Sequence, residues 1–191
     1  HSPMMISDEY YSKFEGKESV MQHRDPKKEN VMMTRAALAM CENIDWNVGR
    51  VLKKLEELQL DGDTIVVYFS DNGPNSYRWN GGMKGRKGAI DEGGLRSPLM
   101  IRWPGSIPAG AKLTQVTAAI DLLPTLTDLV GIDFESDNPL DGRSFQPLLF
   151  AEEVNWPPRS LLSIKGKQVS VRTQRFRLDG SGQLFDIEVD R

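Results

Sequence analysis

The sequence has little cysteine and little histidine: Cys41, His1 and His23 are the only such residues among 191. One thiol cannot close an internal disulfide, so no cross-link stands in for a packed core, and cysteine usage leaves the redox compartment open. A zinc centre is excluded in the same way, because no histidine or cysteine cluster exists to hold one. No apolar run approaches the roughly 18 to 20 residues that cross a bilayer, so no membrane span is expected. A secretory leader is missing too, but the chain opens at His1 and stops at Val189-Asp190-Arg191, and it is expected to be a piece of something longer. Charge of one sign is also lacking. The 24 basic and 27 acidic residues are interspersed and leave a formal net charge of -3, which gives no basic patch for a nucleic acid. Neither an internal repeat nor a low-complexity tract is found.

What is present is enough apolar residue, 39%, for one sizeable core with or without a small appendage. The first thirty residues are polar and irregular, with Tyr10, Tyr11 and Phe14 as anchors. From Val31 to Leu58 the apolar residues Ala37, Cys41, Ile44, Val48, Val51, Leu55 and Leu58 recur at helical spacing, opposite Arg50, Lys53, Lys54 and Glu57. This predicts a long amphipathic helix with Cys41 as a small buried hydrophobe on its apolar face. After a turn at Asp61-Gly62-Asp63, the run Thr64 to Phe69 has the continuous β-branched and aromatic character of a strand buried on both faces, as in a parallel sheet. The segment Pro74 to Gly94 is too long and too glycine-rich for a plain connection, which predicts a functional loop. Ser97 to Trp103 alternates as a strand, and Asp121 is placed to cap a helix through Leu122 and Leu129 that stops at Gly131. Short strands follow at 160–164, 168–173, 176–178 and 183–187. The expected fold class is α/β, a partial mixed or parallel sheet flanked by helices over residues 1–150, with a small antiparallel β subdomain over 151–191.

The chemistry centres on Ser70-Asp71-Asn72-Gly73. On a regular strand the two polar side chains would point to opposite faces, and only a break such as Gly73-Pro74 lets both turn toward one ion. Aspartate and asparagine oxygens suit calcium or magnesium, although Asp-Asn-Gly is equally good turn chemistry. Lys87, between Gly85-Arg86 and Gly88, can meet an anion closely or serve as a solvated loop lysine. Glu92 and Arg96 are placed for an internal ion pair that holds the loop. His1, before Ser2-Pro3, can donate to an anion.

Together, Ser-Asp-Asn-Gly after a strand, Lys87-Gly88 with Glu92-Gly93-Gly94-Leu95-Arg96-Ser97-Pro98, and Arg102-Trp103-Pro104-Gly105 resemble the C-terminal half of the type I sulfatases, of the alkaline phosphatase-like superfamily. The likeness extends to His1-Ser2-Pro3, Asp45 with Val48-Gly49, Asp121-Leu122-Leu123-Pro124-Thr125, Val171-Arg172-Thr173 and Leu184-Phe185-Asp186. It implies that Asp71 and Asn72 bind calcium, with magnesium as the alternative, and that Lys87 contacts the sulfate. It implies further that His1 contacts the sulfate or assists protonation of the leaving group, with Lys84 as runner-up to Lys87. Sulfatases draw their nucleophile from Cys/Ser-x-Pro-x-Arg, oxidised to formylglycine, and no such element occurs here; Cys41 is followed by Glu42-Asn43-Ile44. The nucleophile and the paired aspartates that complete the metal site are therefore expected in a missing N-terminal half of the same protein. The implied parent hydrolyses a sulfated small molecule or sulfated carbohydrate and is periplasmic or secreted, while this chain alone is expected to be inactive and poorly soluble. Asn75, Tyr77, Arg78 and Trp79 are candidate leaving-group contacts; Arg78 fits either an acidic sugar or an ordinary surface position. Two rival readings remain: a phosphodiesterase or phosphonate monoester hydrolase of the same superfamily, and a non-catalytic calcium-binding scaffold.

Overall fold

The computed structural model describes residues 4–135, 137–150 and 154–189. A one-turn helix α1 (Asp8–Tyr11) and a 3-10 turn (Pro26–Lys28) precede the long helix α2 (Val31–Glu57), which starts where the Asn30 carboxamide accepts the Met33 N–H at 3.0 Å. Its buried residues are Thr34, Ala36 and Ala39. This corrects the expected stripe: Cys41 is exposed, as are Ile44 and Val51. The physical reason is that the described chain folds over the N-terminal half of α2, where Thr34 donates to Glu29 at 2.5 Å and Glu29 also accepts the His23 N–H. Ala36 and Ala39 lie round the helix from the Cys41–Ile44–Val51 stripe, which no described element covers. Gln59, with φ at 56°, turns the chain out of the helix in a left-handed conformation.

Strand β1 (Val66–Phe69) pairs with β2 (Leu99–Arg102) in antiparallel register, Val66 opposite Arg102 and Phe69 opposite Leu99. Between them lies the loop that ends in the short helix α3 (Glu92–Leu95). Burial of β1 on both faces is not observed. Its residues are half-buried, Phe69 is 48% exposed, and among the described residues its pairing is antiparallel only. The covered side belongs to a core of Leu129, Phe145, Leu148 and Leu149, against which Ile65 and Ile101 pack.

That core is assembled by helices α4 (Leu122–Val130) and α5 (Gln146–Leu149). Gly131 ends α4 at φ 67°, as the sequence predicts. Asp121 does not cap α4 with its side chain. It closes a 3-10 turn (Ala119–Asp121), accepting the Ala118 N–H at 2.7 Å and the Arg143 N–H at 2.8 Å, and Arg159 Nη1 reaches both of its oxygens at 2.8 and 2.7 Å. The pair is almost fully enclosed, with side chains 0% and 8% exposed. The carboxylate was drawn into the core because a buried guanidinium and two backbone amides satisfy it better than one helix terminus would.

Strands β3 (Leu161–Lys165), β4 (Gln168–Arg172), β5 (Phe176–Leu178) and β6 (Leu184–Asp186) form an antiparallel meander in chain order. It docks directly on the loop between β1 and β2. Arg177 donates to Glu92 at 2.8 Å and to Ser170 at 3.1 Å, Arg172 lies 3.3 Å from Glu92, Lys84 donates to Asp179 at 3.1 Å, and Lys165 donates to the Gly88 carbonyl.

Two outcomes are expected. Arg159→Ala leaves a buried carboxylate without its counter-ion and should lower unfolding free energy by about 3–5 kcal/mol; a denaturant titration showing a loss below ~1 kcal/mol would mean the pair is solvated. Asp179 is held well below the usual carboxylate range, first by the Ser181 hydroxyl, then by the Gln183 N–H, Lys84 and the Ser181 N–H, against the opposing effect of burial. A depressed folded value gives stability that is complete above the unfolded value, about pH 4, and is lost as pH falls below it. Thermal unfolding should accordingly fall more steeply from about pH 5 to 3 in the wild type than in Asp179→Asn; parallel profiles would contradict this.

Candidate functional site

The site begins where β1 runs out. Ser70 N–H donates to the Pro98 carbonyl at 3.3 Å, and Ser70 Oγ donates to the Asn72 carbonyl at 3.2 Å, bending the chain into Asp71-Asn72-Gly73. Gly73 N–H then donates to the Gly94 carbonyl at 3.0 Å, and a β-carbon on Gly73 would lie 1.9 Å from the Gly93 carbonyl oxygen. Only hydrogen fits in that contact. Gly93 is as tightly held from its other side: its N–H donates to the Lys84 carbonyl at 2.7 Å, and a β-carbon there would meet the Asn80 carboxamide nitrogen at 2.5 Å. The Asn80 carboxamide donates to the Met83 and Gly85 carbonyls, both at 3.1 Å, and Lys87 N–H donates to the Pro74 carbonyl at 2.8 Å. The strand end, the Lys84–Gly88 segment and α3 are thus stitched backbone to backbone.

On this frame the predicted residues take distinct places. Asp71 is exposed and Asn72 half-buried, and among the described residues no hydrogen bond or ion pair occupies either side chain. Two hard oxygen donors left free at one strand end fit calcium or magnesium in kind. No group of three or more histidine, cysteine, aspartate or glutamate side chains able to hold a metal forms among the described residues, so these two would be part of a ligand set. Lys87 is exposed, and its ammonium has no acidic partner among the described residues.

Lys84 is different. It sits 3.1 Å from Asp179 and 3.5 Å from Asp91, lies over the Phe185 ring, and is raised above the usual lysine range, chiefly by its hydrogen bond to Asp179. It clasps the meander to the loop, and of the two lysines Lys87 is the one without an acidic partner among the described residues. The Glu92–Arg96 ion pair is long, 3.9 Å, with Arg96 largely exposed. Glu92 keeps that pair and also receives Arg177 and Arg172 at shorter distance, which adds partners the sequence did not indicate and strengthens the loop-holding role. Arg78 is half-buried and donates to Ser76 Oγ at 2.9 Å and Asn75 Oδ1 at 3.4 Å; loss of hydration lowers its pKa. His1 lies outside the described residues.

Sequence reasoning missed Arg172, Arg177, Ser170 and Asp179 as supports of the site. Ser170 and Arg177 sit on short strands whose alternation gives no sign of which face meets the loop. A groove of about 490 Å³ between α1 and α2, lined by Tyr10, Lys13, Glu42, Asp45 and Trp46, contains none of the candidate residues.

Comparison with known proteins agrees with this geometry. The Sulfatase family profile matches residues 1–132. Steryl-sulfatase of Mus musculus is 39% identical over 118 residues, covering 56% of this chain and 19% of its own length. The crystal structure of Ps i-CgsB in complex with k-i-k-neocarrahexaose superposes with a TM-score of 0.80 at 26% identity, over 100% of this chain and 42% of its own. Phosphonate monoester hydrolase SpPMH from Silicibacter pomeroyi superposes with a TM-score of 0.67 at 25% identity, over 84% of this chain and 36% of its own. This chain therefore spans about a fifth of the length of the steryl-sulfatases it matches. With the profile covering well over half of its residues and the mixed α/β framework superposing throughout, the chain belongs to the sulfatase family.

Proposed function

We propose that this chain is the C-terminal part of an enzyme that hydrolyses sulfate esters, and that it contributes one side of the sulfate cradle. The observation that carries the reading is the Lys87 ammonium, without an acidic partner among the described residues and tied through its own backbone to Pro74, two residues beyond the Asp71-Asn72 pair. A sulfate ester carries its charge on oxygens that a fixed cation can meet without reorganisation, and that charge shifts toward the leaving oxygen as the S–O bond breaks.

In this reading Lys87 donates to a sulfate oxygen and holds the group in place. Asp71 and Asn72 would hold a calcium ion, with magnesium as the alternative; when bound, it supplies positive charge to the sulfate oxygens. The nucleophile, the hydrated aldehyde of a formylglycine, comes from the N-terminal half of the same protein and attacks sulfur. His1 contacts the sulfate or assists proton delivery to the departing alcohol oxygen as its S–O bond breaks; the sulfate left on the nucleophile is then expelled as the aldehyde re-forms, and water rehydrates that aldehyde. A phosphonate or phosphodiester substrate is less well supported, because the matched family and the curated steryl-sulfatase relative are both sulfatases.

In the full-length protein, Lys87→Ala should lower kcat/KM for an aryl sulfate about 10²- to 10³-fold, the scale of losing one preorganised charge. Asp71→Ala should weaken calcium binding measured by calorimetry, and chelation should abolish turnover until calcium is restored. Calcium binding without turnover of any aryl or carbohydrate sulfate would leave a scaffold and defeat the proposal. Gly73→Ala forces a methyl into the Gly93 carbonyl and should lower both turnover and melting temperature; unchanged values would show the stitch to be dispensable.

A further inference from the structure

Tyr77 joins two parts of the chain that lie far apart in sequence. Its ring meets the His23 ring edge to face, with centroids 5.3 Å apart and planes at 81°, and it carries the Arg86 guanidinium 4.6 Å from its centroid. Its backbone carbonyl accepts the Asn30 N–H at 2.9 Å. Behind His23 and Asn30 stands α2. Asn30 caps that helix, and Glu29 accepts both the His23 N–H and the hydroxyl of Thr34 in its first turn. His23 is only 8% exposed, and its Nδ1 lies 3.1 Å from the backbone N and O of Asp25, so its ring is fixed from its own side of the contact.

Toward the site the contacts run in rungs. Arg86 Nη1 donates to the Asn75 carbonyl at 3.0 Å, and the Lys87 N–H donates to the Pro74 carbonyl at 2.8 Å. Residues 74–77 and 86–87 are thus joined at three points, counting the Arg86 guanidinium over the Tyr77 ring, and Tyr77 is their link to α2. Lys87 is exposed, and among the described residues no carboxylate pairs with its ammonium, so its placement depends on its backbone. A cation stabilises developing charge only when it already stands in the right place. We infer that Tyr77 is a positioning residue for sulfate ester cleavage: it passes the fixed position of a 27-residue helix to the Lys87 segment, with the His23 ring as its support. Two side chains engage its ring, which sets this role apart from contact with the leaving group.

The inference rests on the sulfate ester reading, and the experiment tells the two apart. In the calcium-loaded full-length protein, kcat and KM would be measured for two sulfate esters, one with a bulky leaving alcohol and one with a small one. Tyr77→Leu should lower kcat/KM for both about 10- to 10²-fold, mainly through kcat, because the sulfate end is common to both. Tyr77→Phe, which keeps the ring, should restore most of that loss. In a Lys87→Ala background Tyr77→Leu should cost no more than about twofold, since the group it positions is gone. Arg86→Gln, at an exposed position, should lower turnover with Lys87 present and not without it, and it decides the matter if Tyr77→Leu fails to fold. Four results overturn the inference: no loss with either ester, a loss confined to the bulky ester, no recovery in Tyr77→Phe, or losses that add fully to that of Lys87→Ala. Should the wild type turn over no sulfate ester, the sulfate ester reading fails, and hydrogen exchange at the Lys87 amide judges the brace alone: exchange about tenfold faster in Tyr77→Leu supports it, and unchanged exchange overturns it.

Discussion

Gly73 lies so close to the Gly93 carbonyl that no side chain fits between them, and the remaining geometry of the site follows from that contact. Because the strand-end turn and the start of α3 meet through backbone alone, their separation is set by peptide dimensions and hydrogen-bond length, with no flexible side chain in between. The Gly73 N–H to Gly94 carbonyl bond and the Gly93 N–H to Lys84 carbonyl bond close the contact from both sides. Asp71, Asn72 and the Lys87 segment are therefore held at fixed positions although all three belong to a loop.

A backbone clasp of this kind needs support from outside, and the C-terminal meander supplies it electrostatically. Glu92, at the first turn of α3, receives Arg177 and Arg172 from β5 and β4, while Lys84, at the other end of the clasp, receives Asp179 from the turn after β5. Arg177 and Asp179 are well buried and Glu92 and Arg172 largely so, so water competes weakly for these pairs. A sheet that in sequence looks like an appendage thus braces the loop that carries the candidate chemistry, and among the described residues it engages Lys84 and not Lys87.

Much of this was legible in advance. Helical spacing marked α2, β-branched density marked β1, Gly131 marked the end of α4, and alternation with glycine turns marked the meander, because each depends on a local preference that the chain expresses over a few residues. The strand end with its oxygen donors, the lysine loop and the Glu-Gly-Gly turn were visible as well. What was not legible depended on which surfaces meet. Cys41 lies on a periodic apolar stripe and is nonetheless exposed, because the described residues fold over the other side of α2. Asp121 stands where a helix cap belongs, yet a guanidinium thirty-eight residues later in the chain captured it. Arg96 is at the right spacing for Glu92 and pairs with it only at 3.9 Å, while two arginines some eighty residues away sit closer.

The elements, the glycines that permit close approach and the residue types of the site thus follow from the order of amino acids, since they are set by backbone propensity and by side-chain chemistry. Which charges neutralise one another and which stay available is set by packing between distant segments. Lys84 and Lys87 differ by three positions and carry the same charge; Asp179, brought in by the meander, makes one a clasp and leaves the other open. Arg78, equally placed in sequence for solvent or for a ligand, became half-buried beside neutral oxygens. Ion pairing across eighty or ninety residues is a property of the folded surface, because the energy of a charge depends on its distance from every other charge and on the water excluded between them.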